Sequence, residues 1–150
     1  MLEDLADGET LSPTAFSLAV PNATPGIYSI LRQNRAASTA VSAGASSFGF
    51  GLIEASLQFA SDPDSPVLLV YADEPVPEVY AGMTEKAEAA VAIAVLLSPG
   101  ADSAVDCRID VDDRRGSVEP QFQPFLRCLK HQEPCVWFGE GRRWTWSFSD

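Results

Sequence analysis

Residues 11–54 read LSPTAFSLAVPNATPGIYSILRQNRAASTAVSAGASSFGFGLIE, and the last third of this stretch decides the fold. Residues 38–43 are uncharged and partly β-branched, the pattern of a short strand. They run into a helix predicted over residues 46–60. Phe48, Leu52, Ala55 and Phe59 line one face of it, and Phe50, Ile53, Leu57 and Ala60 line a second. Its only charged residue is Glu54, and a helix apolar on two faces belongs inside a protein, buried almost all round. Gly49 and Gly51 each cost about 1 kcal/mol against alanine in a helix, so they point to close packing against a neighbouring backbone. Many enzymes place a nucleophile at such a strand-to-helix corner. The unpaired N–H groups and positive potential of a helix N-terminus lower a thiol's pKa and stabilise an oxyanion. At this corner stands Ala45, whose methyl has no chemistry to offer. The reading is an enzyme-like fold without its catalytic group.

Working outward, residues 1–10 read as the end of a helix running into a turn at Gly8. Residues 14–20 are a predicted strand closed by Pro21-Asn22, and Pro25-Gly26 opens a helix with Ile27, Ile30 and Leu31 at helical spacing. Asp62-Pro63-Asp64 ends the central helix. Residues 67–72 and 90–97 are continuous apolar runs of strand length, which suit strands covered on both faces but which periodicity alone does not separate from buried helix, with an acidic, proline-bearing loop at 73–77 after the first. Residues 107–111 alternate as a further strand and residues 122–130 are helical. Residues 136–148 make a hairpin around Gly139-Glu140-Gly141, with Trp144, Trp146 and Phe148 on one face and Arg143, Thr145 and Ser147 on the other. Strand, helix, strand, buried helix, strand, loop, strand is a layered α/β order.

A length of 150 residues suits a single domain spanning residues 1–150, able to bury roughly two-thirds of its unfolded surface. Apolar residues make up 46% of the chain and aromatic ones 9%, a globular composition. The longest uncharged apolar runs, such as residues 89–98, fall far short of the roughly 20 residues that span a bilayer. Glu3, Asp4, Asp7 and Glu9 with no base among them are the opposite of a signal peptide, so a cytoplasmic home is expected. Three cysteines, odd in number and widely spaced, make no disulfide framework. The net charge of −11 is uneven: residues 1–106 carry three of the 10 bases and 14 of the 21 acids. That acidic part repels nucleic acid and anionic membranes, which excludes both as expected partners. The late bases Arg108, Arg114, Arg115, Arg127, Lys130, Arg142 and Arg143 are matched by nearby acids, which favours a solvated surface over an anion-binding patch.

Several catalytic signatures fail on single residues. Gly44-Ala45-Ser46-Ser47-Phe48 starts like a nucleophile elbow, but Phe48 stands where the last glycine must let strand and helix approach. Gly49-Phe50-Gly51 begins a dinucleotide fingerprint, yet Glu54 replaces its third glycine and the run lies within a helix. No P-loop occurs. Cys128, His131 and Cys135, with Cys107 upstream, supply four zinc-type donors, but their spacing lacks paired C-x2-C knuckles and buried, unreactive thiols are the commoner outcome. His131 as a base for Cys128 or Cys135 lacks a third, orienting group. The Trp144, Trp146 and Phe148 stripe suits either an acyl or aromatic ligand or, more commonly, the core face of a hairpin.

Three runs together carry a resemblance: VPNATPGIYSI at 20–30, NRAAS at 34–38 and VSAGASS at 41–47. They resemble the N-terminal half of β-ketoacyl synthases, with its Asn-x-x-x-Gly helix, Gly-Pro-Ser turn and Thr-Ala-Cys-Ser-Ser elbow. LSPTAFS at 11–17 and LVYADEP at 69–75 are similar to the short chain-length-factor-like proteins of aryl polyene biosynthesis. The resemblance covers residues 5–100 well and the tryptophan-bearing end more loosely. It implies a partial thiolase-like layered α/β fold, shortened at its N-terminus, and needs no metal or other cofactor. The departures matter more. Ala45, flanked by Gly44 and Ser46, stands at the cysteine position, Ala36-Ala37 replaces the Gly-Pro of the turn, and the two catalytic histidines belong to a C-terminal half that this chain lacks. The resemblance thus implies a chain without catalytic residues, the non-catalytic half of a heterodimer with a ketosynthase, and through it a link to acyl carrier protein. In ketosynthases the strand leading into the nucleophile lies at the dimer interface, and residues 38–43 carry nothing that blunts an exposed edge. Tyr28, Phe48 and Phe50 are candidates for tunnel or interface contacts. The alternatives are an acyltransferase or thioesterase using Ser46 or a free cysteine, and a truncated remnant that does not fold alone.

Overall fold

The computed structural model describes residues 8, 10, 12–77, 89–100 and 104–149. The expected helix end in residues 1–7 lies outside these, while Gly8 has the turn geometry expected of it, with φ 71°. The chain forms two compact units, Met1–Ser42 and Ala43–Asp150.

The first unit is helical. Helix α1 is Pro13–Leu18, where a strand was expected. Pro13 sets a helical φ at the first position and the Ser12 carbonyl accepts the Phe16 N–H at 3.0 Å. A strand needs a ladder partner, and no described strand offers one to this segment. Helix α2, Ala23–Arg32, starts two residues before Pro25, whose missing N–H falls in the first turn, where no intrahelical acceptor exists. It ends with Gln33 left-handed at φ 51°; the Gln33 N–H donates to Ile30 C=O and the Asn34 N–H to Ser29 C=O, a Schellman closure. Ile27, Tyr28, Ile30 and Leu31 of α2 are all exposed. The strand expected at 38–43 does not form: these residues have neither helix nor ladder.

The second unit opens with a 3₁₀ turn, Gly44–Ser46, that passes directly into α3, Ser47–Ser61. Strands β1, Val67–Asp73, and β2, Val91–Leu97, pair antiparallel with Val67 opposite Leu97 and Asp73 opposite Val91. Strand β3, Ala104–Val111, precedes α4, Phe122–His131, and the hairpin of β4, Cys135–Gly139, and β5, Arg142–Ser149. These three strands form an antiparallel sheet with β5 central. Helix α3 packs on β1 and β2 and meets the second sheet where the Phe50 ring stands edge-on to Trp144 at 5.1 Å.

The core is aromatic. Phe48, Phe125, Cys128, Trp137, Trp144 and Trp146 are buried together, with Phe48 edge-on to Tyr71 and Phe125. The hairpin alternates as expected, Trp144 and Trp146 inward and Arg143, Thr145 and Ser147 less buried. Two expectations need correction. Helix α3 is buried over Phe48, Gly49, Gly51 and Ala55 only, and its second face opens to solvent, with Leu57 60% exposed and Ala60 exposed while Phe59 on the first face stays half-buried. The first sheet is covered on one face: Leu69, Tyr71, Ile93 and Val95 are half-buried, while Leu68, Val70 and Leu96 are exposed.

Candidate functional site

The corner at Gly44–Ser47 is the site that the sequence singles out, and local hydrogen bonds fix its shape. The Ala43 N–H donates to Ser47 Oγ at 2.8 Å, and that hydroxyl donates to the Gly44 carbonyl at 2.8 Å. Gly44 is left-handed at φ 54°, a conformation that costs other residues energy. Ala45 follows with its side chain exposed, and Ser46 is wholly buried. The Ser46 hydroxyl donates to Oε2 of Glu140, 94 residues away in the β4–β5 turn. One turn on, the Gly49 N–H donates to Oε1 of the buried Gln121 at 2.7 Å. Corner, helix and hairpin are thereby tied by two side chains that carry no motif.

The hydroxyl and thiol groups that could act as nucleophiles are placed as follows. Ser46 is the nearest hydroxyl to Ala45 in sequence on the buried side, and it donates to the Glu140 carboxylate. The sole histidine, His131, is exposed at the end of α4. Cys128 is buried in the core, and its thiol is pushed up by burial and then by the neighbouring Cys135. Cys107 is an exposed residue on β3, but its thiol lies on the face of its cross-strand partner Trp146, and burial there pushes it up to about 11. Raised thiols are poor nucleophiles at neutral pH. Among the described residues no three of His, Cys, Asp or Glu cluster to hold a metal ion.

The aromatic candidates separate. Phe48 is 2% exposed and belongs to the core, and Phe50 is half-buried between Trp144 and the Arg142 guanidinium, which lies 5.7 Å over its ring. Tyr28 is exposed on α2 in the first unit. Arg108 and Arg143 both bond Asp110, Arg114 bonds Asp112, and Arg127 grips Glu119 through two nitrogens at 2.5 and 2.7 Å. Four of the seven late bases are thus paired with carboxylates. Glu140 is marked in the sequence only as the centre of a turn, and Gln121 carries no local signal. The turn that carries Glu140 is legible, but nothing local tells which distant group its carboxylate meets.

A tight turn leading into a helix packed against two antiparallel sheets is the arrangement of the N-terminal part of a thiolase-like ketosynthase fold. Residues 1–147 match the family described as Beta-ketoacyl synthase, N-terminal domain, and the chain belongs to that family. Among solved structures it is similar to a chain in the complex of the ketosynthase ApeO with its chain length factor ApeC from Xenorhabdus doucetiae. The identity is 30% and the TM-score 0.79, over 97% of this chain and 61% of that chain. The chain therefore spans about three-fifths of the length of its structural relative. No curated protein matches it in sequence. Among the described residues no helix is long and apolar enough to cross a membrane.

Proposed function

We propose that the chain is a non-catalytic subunit of chain-length-factor type, assisting a partner ketosynthase in fatty-acid or aryl-polyene-type polyketide synthesis in the cytoplasm. The observation that carries this is the corner itself: an exposed methyl at Ala45 where the family resemblance calls for a thiol, beside a serine locked to a carboxylate. Decarboxylative condensation needs a thiolate to hold the acyl chain, and the corner has none to offer. The need for a partner rests on surface. Leu68, Val70 and Leu96 are about 60% exposed on one sheet face, and α2 leaves Ile30 and Leu31 76% exposed. Contiguous apolar surface of this kind marks interaction sites. The family match over residues 1–147 supports both units working as one domain. Tyr28 and Phe50 retain surface for tunnel or interface contact, whereas Phe48 acts through packing.

Co-expression with the ketosynthase encoded nearest to it, followed by size exclusion, tests the proposal. A stable one-to-one complex is the expected result, with product length changing when Phe50 is altered. Replacing Cys107, Cys128 and Cys135 by alanine, one at a time, leaves product formation by the complex intact wherever the variant folds. A folded chain that elutes alone, or loss of product with a folded cysteine variant, overturns the reading.

A further inference from the structure

Both neighbours of Ala45 touch one carboxylate. Ser46 donates to Oε2 of Glu140, and a Cβ added at Gly44 would lie 2.6 Å from Oε1 of the same group. Glu140 reaches this place at a cost. It and Gly141 have φ 53° and 72°, the pair of positive values of a two-residue hairpin turn in which asparagine or glycine is the favoured first residue. A glutamate there breaks the local rule, and such breaks collect where another demand outweighs local preference. The demand is visible in its partners. The carboxylate makes no ion pair among the described residues. The guanidinium of Arg142, its nearest base in sequence, donates to Glu140's own carbonyl at 3.3 Å and lies over the Phe50 ring. On the β3 side lies Asp112, whose N–H donates to the Gly141 carbonyl at 3.0 Å and whose charge is held by Arg114 at 2.8 Å. The Glu140 carboxylate accepts from the Ser46 hydroxyl, and Ser46 directly precedes the 15-residue helix α3, whose N-terminus is its positive end.

We infer that Glu140 is the built-in anion of this corner: its carboxylate takes the electropositive place before α3 that a substrate oxyanion or a thiolate would need. The corner is then closed in two independent ways, by the missing thiol and by an occupied helix end. Restoring the thiol alone leaves it inert, because a thiolate at position 45 meets a like charge instead of a free helix terminus. This rests on reading Gly44–Ser47 as the family's elbow. Its test uses the isolated chain, so that it fails or stands separately from complex formation.

The experiment compares Ala45→Cys alone with Ala45→Cys combined with Glu140→Gln or Glu140→Gly, the last suited to the left-handed backbone. Iodoacetamide labelling is followed against pH by peptide mapping, with Cys107, Cys128 and Cys135 as internal controls. The thiol introduced by Ala45→Cys is expected to titrate at or above the ordinary value of about 8.5. Removing the carboxylate lowers it by about one unit or more, equal to about tenfold faster labelling at pH 7, with the three native thiols unmoved. A thiol that already titrates well below 8.5 in the single variant overturns the inference, as does one that Glu140→Gln and Glu140→Gly both leave unchanged.

Discussion

Two glycines two residues apart in α3 face different neighbours, and that difference is measurable. A Cβ at Gly49 would sit 2.6 Å from Cζ3 of Trp144 and 2.8 Å from Nε2 of Gln121, both buried and unable to retreat. At Gly51 the nearest atom is Cδ1 of Leu69 at 3.1 Å, the tip of a half-buried, rotatable side chain. Alanine adds about 1 kcal/mol of helix propensity at either position. At Gly49 overpacking outweighs it, so Gly49→Ala is expected to lose about 1–3 kcal/mol. Gly51→Ala is expected to stay within about 1 kcal/mol of the parent, since the leucine yields. Urea unfolding followed by tryptophan fluorescence reads both, and equal effects would show that the two sites are not packed as described. The pattern of small residues in an apolar helix was legible as close packing. That a tryptophan ring and a glutamine amide, not a neighbouring backbone, require Gly49 was not.

At the scale of elements, β1 and β2 present a face made only of apolar side chains. Leu68 opposes Leu96, Val70 opposes Ala94 and Ala72 opposes Ala92, and all six are exposed. The opposite face rests on α3. Continuous apolar strands normally indicate cover on both sides, so this sheet is half-finished by its own chain. Val70→Lys therefore leaves the free chain's unfolding free energy within about 0.5 kcal/mol, as for an open surface position. The same change weakens binding of an apolar-surface dye. A loss of several kcal/mol would mean that this face is covered in solution. By contrast the inner face of the hairpin is covered, with Trp144 and Trp146 buried together with Phe125 and Cys128 of α4.

For the whole molecule, charge sets a pH window. Hydrogen bonds from Arg143 and Arg108 hold Asp110 below its ordinary value, those from Arg114 do the same for Asp112, and those from Arg127 for Glu119. Carboxylates whose folded pKa is depressed add stability that is present above their unfolded values, near 4, and lost as pH falls through the folded values. The urea midpoint is thus expected to be steady from pH 7 to about 5 and to fall below about pH 4. Asp110→Asn flattens part of that fall and separates it from the relief of repulsion among the chain's excess acids. A midpoint in the parent that does not move between pH 5 and 3 would show that these exposed pairs contribute nothing.

Local periodicity, run length and turn residues together marked the central helix, α4, the alternating hairpin and the approximate extents of β1, β2 and β3, because each is written in the side chains of one contiguous segment. The start of the central helix beside Ser46 was legible for the same reason. Tertiary structure decided everything that depends on a second segment. Residues 13–18 became helix and residues 38–43 took no ladder, since strand propensity counts only when a partner strand lies alongside. Phe48 went to the core, the first sheet was left covered on one face, and Glu140 met Ser46 across 94 residues. A contact between distant residues depends on the register of whole elements, which no local pattern encodes.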